Sequence, residues 1–374
     1  MTDDVPEPDC LHGAPHPRET GEVYGHGAAE QRVLEAFASG RMHHAWLLTG
    51  PRGIGKATLA WRIARFLLAQ PLMAEEGGLF GTPAPPNTLD IAPDHPVARR
   101  LAALSEPRFH LLRRPYDAKT KKLKQEITID AARALKSFFG LSAADGGRRV
   151  VLVDAADELN PNAANAILKL LEEPPANATL LLVAHQPARL LPTIRSRCRT
   201  LPLLPLRAED LARALAQAGA AAVEGPTAPG LSVLAEGSVG AAWTLIEEEG
   251  LAFYAALVQL LSRAPEIDRP AALALAQTPA DRFESRLALI EVLLSRLARA
   301  GVLGPPQSEA VPGEAALLAR LAPDARAARR WAALQEAQSA RARHGAAVNL
   351  DPSALLLDTL LSIDAAAKAP SHAT

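Results

Sequence analysis

Residues 43–60 read HHAWLLTGPRGIGKATLA and predict a strand, a glycine-rich loop and a helix in direct succession. The apolar run at 45–48 is short and unbroken, which is typical of a buried strand. Leu59, Ile63 and Phe66 recur at helical spacing after the loop. The loop itself, residues 50–58, follows the spacing G-x-x-x-x-G-K of a phosphate-binding loop.

This glycine loop carries most of the groups that a bound nucleotide needs. Its glycines let backbone N–H groups curl around a phosphate, the following helix adds a favourable dipole, and its lysine neutralises charge. Position 57 should carry a Mg²⁺-binding hydroxyl but is alanine, and the threonine that follows is turned by ~100° around the helix. We therefore predict nucleotide-binding ancestry, with a ligand-free tight turn as the alternative. The predicted cofactor-binding residues are Gly50, Gly53, Gly55, Lys56 and Thr58 of this loop and Asp154 of the motif described next.

A second motif, VVLVDAAD at 150–157, reads as a buried strand that ends in an acid. Asp154 is placed to hold Mg²⁺ through water, as the acid of a Walker B strand does. A hydrolytic site of this type needs a carboxylate at the next position to orient the attacking water, and Ala155 cannot polarise water. The alternative interpretation of Asp154 is an acid that caps a turn at the strand end.

The order of elements predicts an α/β fold followed by helices. Strands and helices alternate up to about residue 205, which favours a mainly parallel sheet. Beyond it no segment is convincing as a strand, and Phe283, Leu287, Ile290, Leu294 and Leu297 form an apolar helical stripe. The predicted segments are a disordered tail at 1–22, an α/β domain at 23–205, a small helical domain at 206–250, a helical domain at 251–364 and a tail at 365–374.

Charge, cysteine content and apolar runs exclude several classes of protein. The 374 residues carry a formal net charge of -1, whereas a protein that binds nucleic acid over its whole surface would be strongly basic. Two distant cysteines build neither a disulfide framework nor a four-ligand zinc site. The N-terminus has no signal-peptide pattern and no apolar run is long enough to span a bilayer. We expect a cytoplasmic protein.

Three stretches together resemble the bacterial clamp-loader AAA+ family, and within it the delta-prime subunits of DNA polymerase III. They are residues 43–60, the segment VVLVDAADELNPNAANAILKLLEEPP at 150–175, and LLPTIRSRC at 190–198. The ATPase subunits gamma and tau share this framework. The resemblance is strongest over 24–60 and 148–205 and thinner in the helical remainder.

The resemblance implies a RecA-like AAA+ domain, a helical lid and a C-terminal collar that holds a hetero-pentamer together. The implied partners are gamma/tau and delta, with the sliding clamp and primer–template DNA contacted through the complex. In that family a Ser-Arg-Cys motif, here Ser196, Arg197 and Cys198, carries an arginine finger that acts on a neighbour's ATP. Without that motif, Arg197 would read as a surface ion pair.

The resemblance also implies that this chain hydrolyses little or no ATP. Gamma-type subunits carry a sensor arginine in a turn of the lid helix, and Gly240 stands at that place. With Ala57 and Ala155, three hydrolytic elements are missing together. Bound ATP or ADP without turnover remains compatible with Lys56, and Mg²⁺ is left open. Many relatives have a four-cysteine zinc module that residues 67–110 lack, so we predict no zinc.

Two rival interpretations stay open. The chain could be an active gamma-like ATPase, which would turn over ATP in isolation, or a metabolic P-loop kinase, which would be an active monomer.

A basic stretch carries four lysines, which could contact DNA phosphates or form a solvated loop: Lys119, Lys121, Lys122 and Lys124. We favour the solvated loop.

Overall fold

The computed structural model describes residues 6–71, 86–140, 147–220, 227–347 and 350–368. The chain divides into two compact units, residues 1–219 with 237–240 and residues 220–236 with 241–374. These units do not coincide with the predicted domains, because residues 206–219 group with the α/β domain and the rest of the predicted lid is divided. A separate lid stays a prediction.

A five-stranded parallel sheet organises the first unit. The strands are β1 (Ala45–Thr49), β2 (Phe109–Arg113), β3 (Tyr116–Asp117), β4 (Lys122–Leu123), β5 (Arg149–Asp154), β6 (Ala178–Ala184) and β7 (Arg199–Pro202). The main sheet has the order β2-β5-β6-β1-β7, and β3 and β4 form a separate antiparallel pair. Because the main strands are parallel, their carboxyl ends meet at one edge, where ligands bind in open α/β sheets.

Helices pack against this sheet through their apolar faces. They are α1 (Gly27–Ala38), α2 (Lys56–Ala69), α3 (Pro96–Ala102), α4 (Ile129–Gly140), α5 (Pro161–Glu172), α6 (Pro192–Arg197) and α7 (Ala208–Gln217). One core cluster joins Leu135 of α4 and Ile167 of α5 to Val151 and Leu180 of the sheet, all fully buried. The strands β1 and β6 are buried along their whole length, as their unbroken apolar runs predict.

Three segments differ from the sequence predictions. Residues 6–22, predicted to be disordered, are packed by ion pairs that the sequence pattern does not reveal, and Asp9 and His16 are buried among them. A helix, α3, begins within the 71–100 segment predicted to be irregular, and the His95 side chain caps its first turn. The lysine-rich stretch predicted as a loop contains β4, which pairs with β3 just before it.

The second unit is helical in its described residues. Its helices are α8 (Thr227–Ala235), α9 (Val239–Glu247, whose first two residues group with the first unit), α10 (Gly250–Leu261), α11 (Arg269–Ala276), α12 (Phe283–Leu303), α13 (Glu314–Leu321), α14 (Ala325–Ala347) and α15 (Pro352–Ala367). Most of the predicted stripe on α12 is buried, and Asp351 caps α15 through the Ala354 N–H. The predicted fold class, a parallel α/β domain followed by helices, is confirmed.

Within the described part of the chain, every helix is too short or too polar to cross a bilayer.

Candidate functional site

The glycine loop has the backbone that its sequence predicts. Gly50, Gly53 and Gly55 have φ angles of 144°, 77° and 96°, which L side chains rarely adopt. The helix α2 begins at Lys56, directly after the left-handed Gly55. A Cβ on Gly50 would lie 2.5 Å from the backbone oxygen of Leu203. The loop is therefore a preformed cradle whose glycines are also required by packing.

Lys56 points into the loop. Its side chain is 3% exposed and its ammonium donates hydrogen bonds to the backbone oxygens of Gly50, at 2.8 Å, and of Pro51. Burial lowers the Lys56 pKa to about 8, against the opposing effects of Asp154 and Asp157. The lysine is thus in place beside a phosphate cradle, and its proton is held less tightly than in water.

Asp154 lies at the carboxyl end of β5, and its residue is 6% exposed. Burial raises its pKa to about 7, and the negative charges of Asp9 and Glu158 act in the same direction. The next residue, Ala155, is also buried and offers no second carboxylate. The residues present fit a phosphate group, whereas the hydroxyl and the second acid that would complete a Mg²⁺-dependent hydrolytic site are replaced by methyl groups.

The raised pKa of Asp154 predicts a pH-dependent stability. A carboxyl group with a higher pKa in the folded than in the unfolded state holds its proton more tightly when folded, so its contribution to the free energy of unfolding falls as pH rises from about 4 to about 7. Asp154→Asn should therefore gain stability over the wild type across this window. Urea unfolding at several pH values checks it, with exposed Asp130→Asn as the control. Parallel pH curves for wild type and Asp154→Asn would contradict it.

The turn at 237–240 closes over the glycine loop. The Gly240 N–H donates to the backbone oxygen of Gly53 at 3.0 Å, and the Ser238 hydroxyl donates to the backbone oxygen of Arg52 at 2.9 Å. A Cβ on Gly240 would lie 3.1 Å from the Gly53 Cα. Gly240 thus lies beside the loop, where the resemblance implies a sensor arginine, and glycine permits this close approach.

Two residues of this site were not predicted from the sequence. His185 follows β6 at the same edge of the sheet, and burial lowers its pKa to about 4, with Lys56 acting in the same direction. Asp157 accepts the backbone N–H groups of His185, at 2.9 Å, and Gln186, at 3.1 Å, and so joins the segments after β5 and β6. The signal that could have found His185 is its place directly after a buried parallel strand.

Thr58 is half-buried in the first turn of α2, one position beyond the half-buried Ala57. The helical rotation of ~100° between these positions turns their side chains in different directions. Thr58 therefore does not occupy the place of the missing hydroxyl. Its assignment to cofactor binding stays a prediction.

The candidate finger Arg197 lies apart from the glycine loop, at the end of α6. Its guanidinium donates to the Thr193 backbone oxygen at 3.1 Å and pairs with Glu172 at 3.1 Å, and its side chain remains 37% exposed. Ser196 is exposed and donates to Thr193. Burial raises the pKa of the Cys198 thiol to about 12, so this thiol is unreactive. Of the three motif residues, Arg197 is the one that exposes a charged side chain to solvent.

Within the described ranges, no group of three His, Cys, Asp or Glu side chains is arranged to hold a metal ion. The prediction that the chain lacks zinc concerns residues 67–110, of which 72–85 lie outside the described residues.

Comparison with known proteins finds matches over the α/β domain. The family described as DNA polymerase III, delta subunit, matches residues 25–207. Subunit delta' of DNA polymerase III from Pseudomonas aeruginosa is 40% identical over 200 residues, which are 52% of this chain and 55% of that protein. The Escherichia coli subunit delta' is 32% identical over 177 residues, 47% of this chain and 46% of that protein. These alignments span about half the length of each relative.

One solved structure resembles the chain more broadly but loosely. A DNA polymerase III gamma subunit-related protein from Thermotoga maritima aligns with 90% of this chain and 100% of its own, at 16% identity and a TM-score of 0.38. That score is too low to establish a shared fold.

Proposed function

We propose that the chain is a delta-prime subunit of a replicative clamp loader, because its residues 25–207 match the family described as DNA polymerase III, delta subunit. It works in the cytoplasm with gamma/tau ATPase subunits and a delta subunit in a hetero-pentamer. The assembly places the sliding clamp on primer–template DNA during replication. The support comes from relatives named delta' at 31–40% identity and from gamma/tau relatives at 30% identity.

In this proposal Arg197 acts on a neighbour's ATP. The observation that carries it is the contrast between the two candidate sites: Arg197 is charged and partly exposed with Glu172 and Thr193 as its partners, while Ala57 and Ala155 occupy two hydrolytic positions beside Lys56. A guanidinium offered in trans stabilises the charge that develops on the γ-phosphate. The chain completes another subunit's site and hydrolyses little or no ATP itself.

ATP or ADP bound without turnover is compatible with the glycine cradle and Lys56. These groups would hold the phosphates through backbone N–H donors and one ammonium. Ala57 leaves Mg²⁺ without its usual hydroxyl ligand, so we propose a weakly bound metal at most.

Reconstitution with the partner subunits tests the proposal. The chain should assemble with gamma/tau and delta, as size-exclusion chromatography would show. The clamp- and DNA-stimulated ATPase of the complex should depend on Arg197. A chain that stays monomeric in the presence of these partners contradicts the proposal.

The isolated chain should hydrolyse ATP at the background rate. The physical reason is that Ala155 cannot orient water and Gly240 cannot neutralise phosphate charge. Steady-state ATPase of the purified wild type checks this, with Lys56→Ala as the control that defines background. A wild-type rate that Lys56→Ala abolishes would instead support an active, gamma-like ATPase.

A further inference from the structure

The N-terminal segment is fixed at the carboxyl edge of the sheet by charge pairs. Arg113, the last residue of β2, pairs with Glu7 at 2.8 Å and with Asp9. Arg18 donates to both carboxylate oxygens of Glu7 at 2.9 Å, and His16 lies 3.3 Å from the carboxylates of Glu7 and Asp9. The Asp9 side chain is 1% exposed. These contacts form a closed cluster of opposite charges.

The other half of the segment lies along α2, the helix that starts in the glycine loop. The ring of His16 meets Trp61 edge-on, with 5.9 Å between ring centroids. The Arg65 guanidinium donates to the backbone oxygen of Arg18 at 2.8 Å. The segment is therefore anchored both to the nucleotide-loop helix and to the end of β2.

Between these anchors Leu11 approaches the turn at 237–240, which bonds to the glycine loop. The Cδ1 atom of Leu11 lies 3.3 Å from the position that a Cβ on Gly240 would take, and the Gly240 N–H bonds to Gly53 of the loop. Asp9 pairs with Arg113, whose position in β2 lies directly beside Asp154 of β5 in the sheet. Leu11 thus lies at the turn that closes over the glycine loop, and Asp9 is bound to β2, the strand that neighbours the Walker B strand β5.

We infer that residues 7–16 are an internal competitor of nucleotide, which must leave this edge before phosphates can occupy the glycine loop. The inference rests on the proposed nucleotide site and adds a regulation to it. Two effects act together: Leu11 covers the turn at 237–240 beside the loop, and the pairs of Glu7 and Asp9 with Arg113 hold the segment in that place. The apparent dissociation constant of nucleotide then exceeds the intrinsic one by the inverse of the fraction of molecules in which the segment is open.

Full-length variants test the inference with a fluorescent ATP analogue as probe, with and without Mg²⁺. Glu7→Gln combined with Asp9→Asn keeps side-chain size but removes the charges that hold the segment. We expect the probe to bind at least about tenfold more tightly than to wild type, since the open fraction rises. Adding Lys56→Ala should remove the gain. Glu19→Gln is the matched control, because Glu19 is 53% exposed and 3.8 Å from its partner.

Hydrogen exchange of residues 6–20 supplies the second readout. In wild type, exchange there should rise at saturating nucleotide, and in the double variant it should be raised without nucleotide. The inference is overturned if the segment is released in the variant while affinity stays unchanged. It is also overturned if wild type binds nucleotide with the segment equally protected. Neither result bears on the proposed function, which is tested by the Arg197 assay in the assembled complex.

Discussion

Arg197→Ala lowers turnover at the neighbouring ATPase site of a reconstituted clamp loader by ~10³-fold or more, the usual contribution of an arginine finger. In the free chain this guanidinium is held by one backbone oxygen and by Glu172, which is itself 45% exposed. Exposed ion pairs of this kind contribute about 0–1 kcal/mol. The arginine can therefore exchange Glu172 for a phosphate at little cost, and its loss should leave the fold intact.

The measurement is single-turnover ATP hydrolysis by complexes whose composition is verified by chromatography. Arg197→Lys should fail nearly as badly as alanine, because an ammonium cannot reproduce the planar fork of the guanidinium. Arg195→Ala is the matched control, an exposed arginine on the same helix. Unchanged hydrolysis by a correctly assembled Arg197→Ala complex would remove Arg197 from this role.

Glu314→Ala lowers the free energy of unfolding by ~3–5 kcal/mol, the usual cost of breaking a buried ion pair. The Glu314 side chain is completely buried. It accepts hydrogen bonds from the Tyr254 hydroxyl at 2.6 Å, the Arg296 guanidinium at 2.6 and 3.1 Å, and the Ala310 N–H at 2.6 Å. Alanine leaves the Tyr254 hydroxyl and the Ala310 N–H without this acceptor. It also leaves Arg296, whose side chain is only 12% exposed, without its carboxylate partner, although one of its N–H groups still donates to the Ser308 backbone oxygen.

Urea unfolding of the full chain, followed by circular dichroism, measures this loss. Glu284→Ala on α12 is the control and should change stability by less than about 0.5 kcal/mol, because its side chain is exposed. Tyr254→Phe should cost about 1 kcal/mol, the net value of one hydrogen bond. Equal losses for Glu314→Ala and Glu284→Ala would show that the buried network contributes nothing.

Local sequence patterns were enough for the sheet and the glycine loop. The strands β1, β5 and β6 are unbroken apolar runs, and the loop from Gly50 to Lys56 specifies its own backbone through its glycines. The packing of residues 6–22 was not predictable in this way, because Arg113 reaches Asp9 and Glu7 across 104 and 106 residues of sequence. Periodicity and composition reflect residues that are close together in the sequence and do not reveal ion pairs between distant segments.

The residues of the candidate site likewise fall into those that local motifs predict and those that they do not. Lys56 and Asp154 follow from motifs, and the structure places both at the carboxyl edge of the sheet. His185 belongs to neither motif and is joined to the site by Asp157, from the segment after β5. Outside the site, the Glu314 network also depends on partners distant in sequence, since Glu314 meets Arg296 from 18 positions away and Tyr254 from 60. The proposed role of Arg197 comes from the resemblance alone, because an arginine with Arg195 and Arg199 close by in sequence carries no local signal.

The glycines of the loop have an evolutionary consequence. Gly50 is confined by the backbone of Leu203 and Gly53 by Ser238, so mutation away from glycine is penalised at both positions even if the protein never meets ATP. Purifying selection for packing would preserve this signature long after selection for catalysis had relaxed. A survey that counts ATPases by the glycine pattern alone would then include chains that no longer hydrolyse ATP, and the residues at positions 57 and 155 would separate the two kinds better, because a hydroxyl and a carboxylate are required there only for hydrolysis.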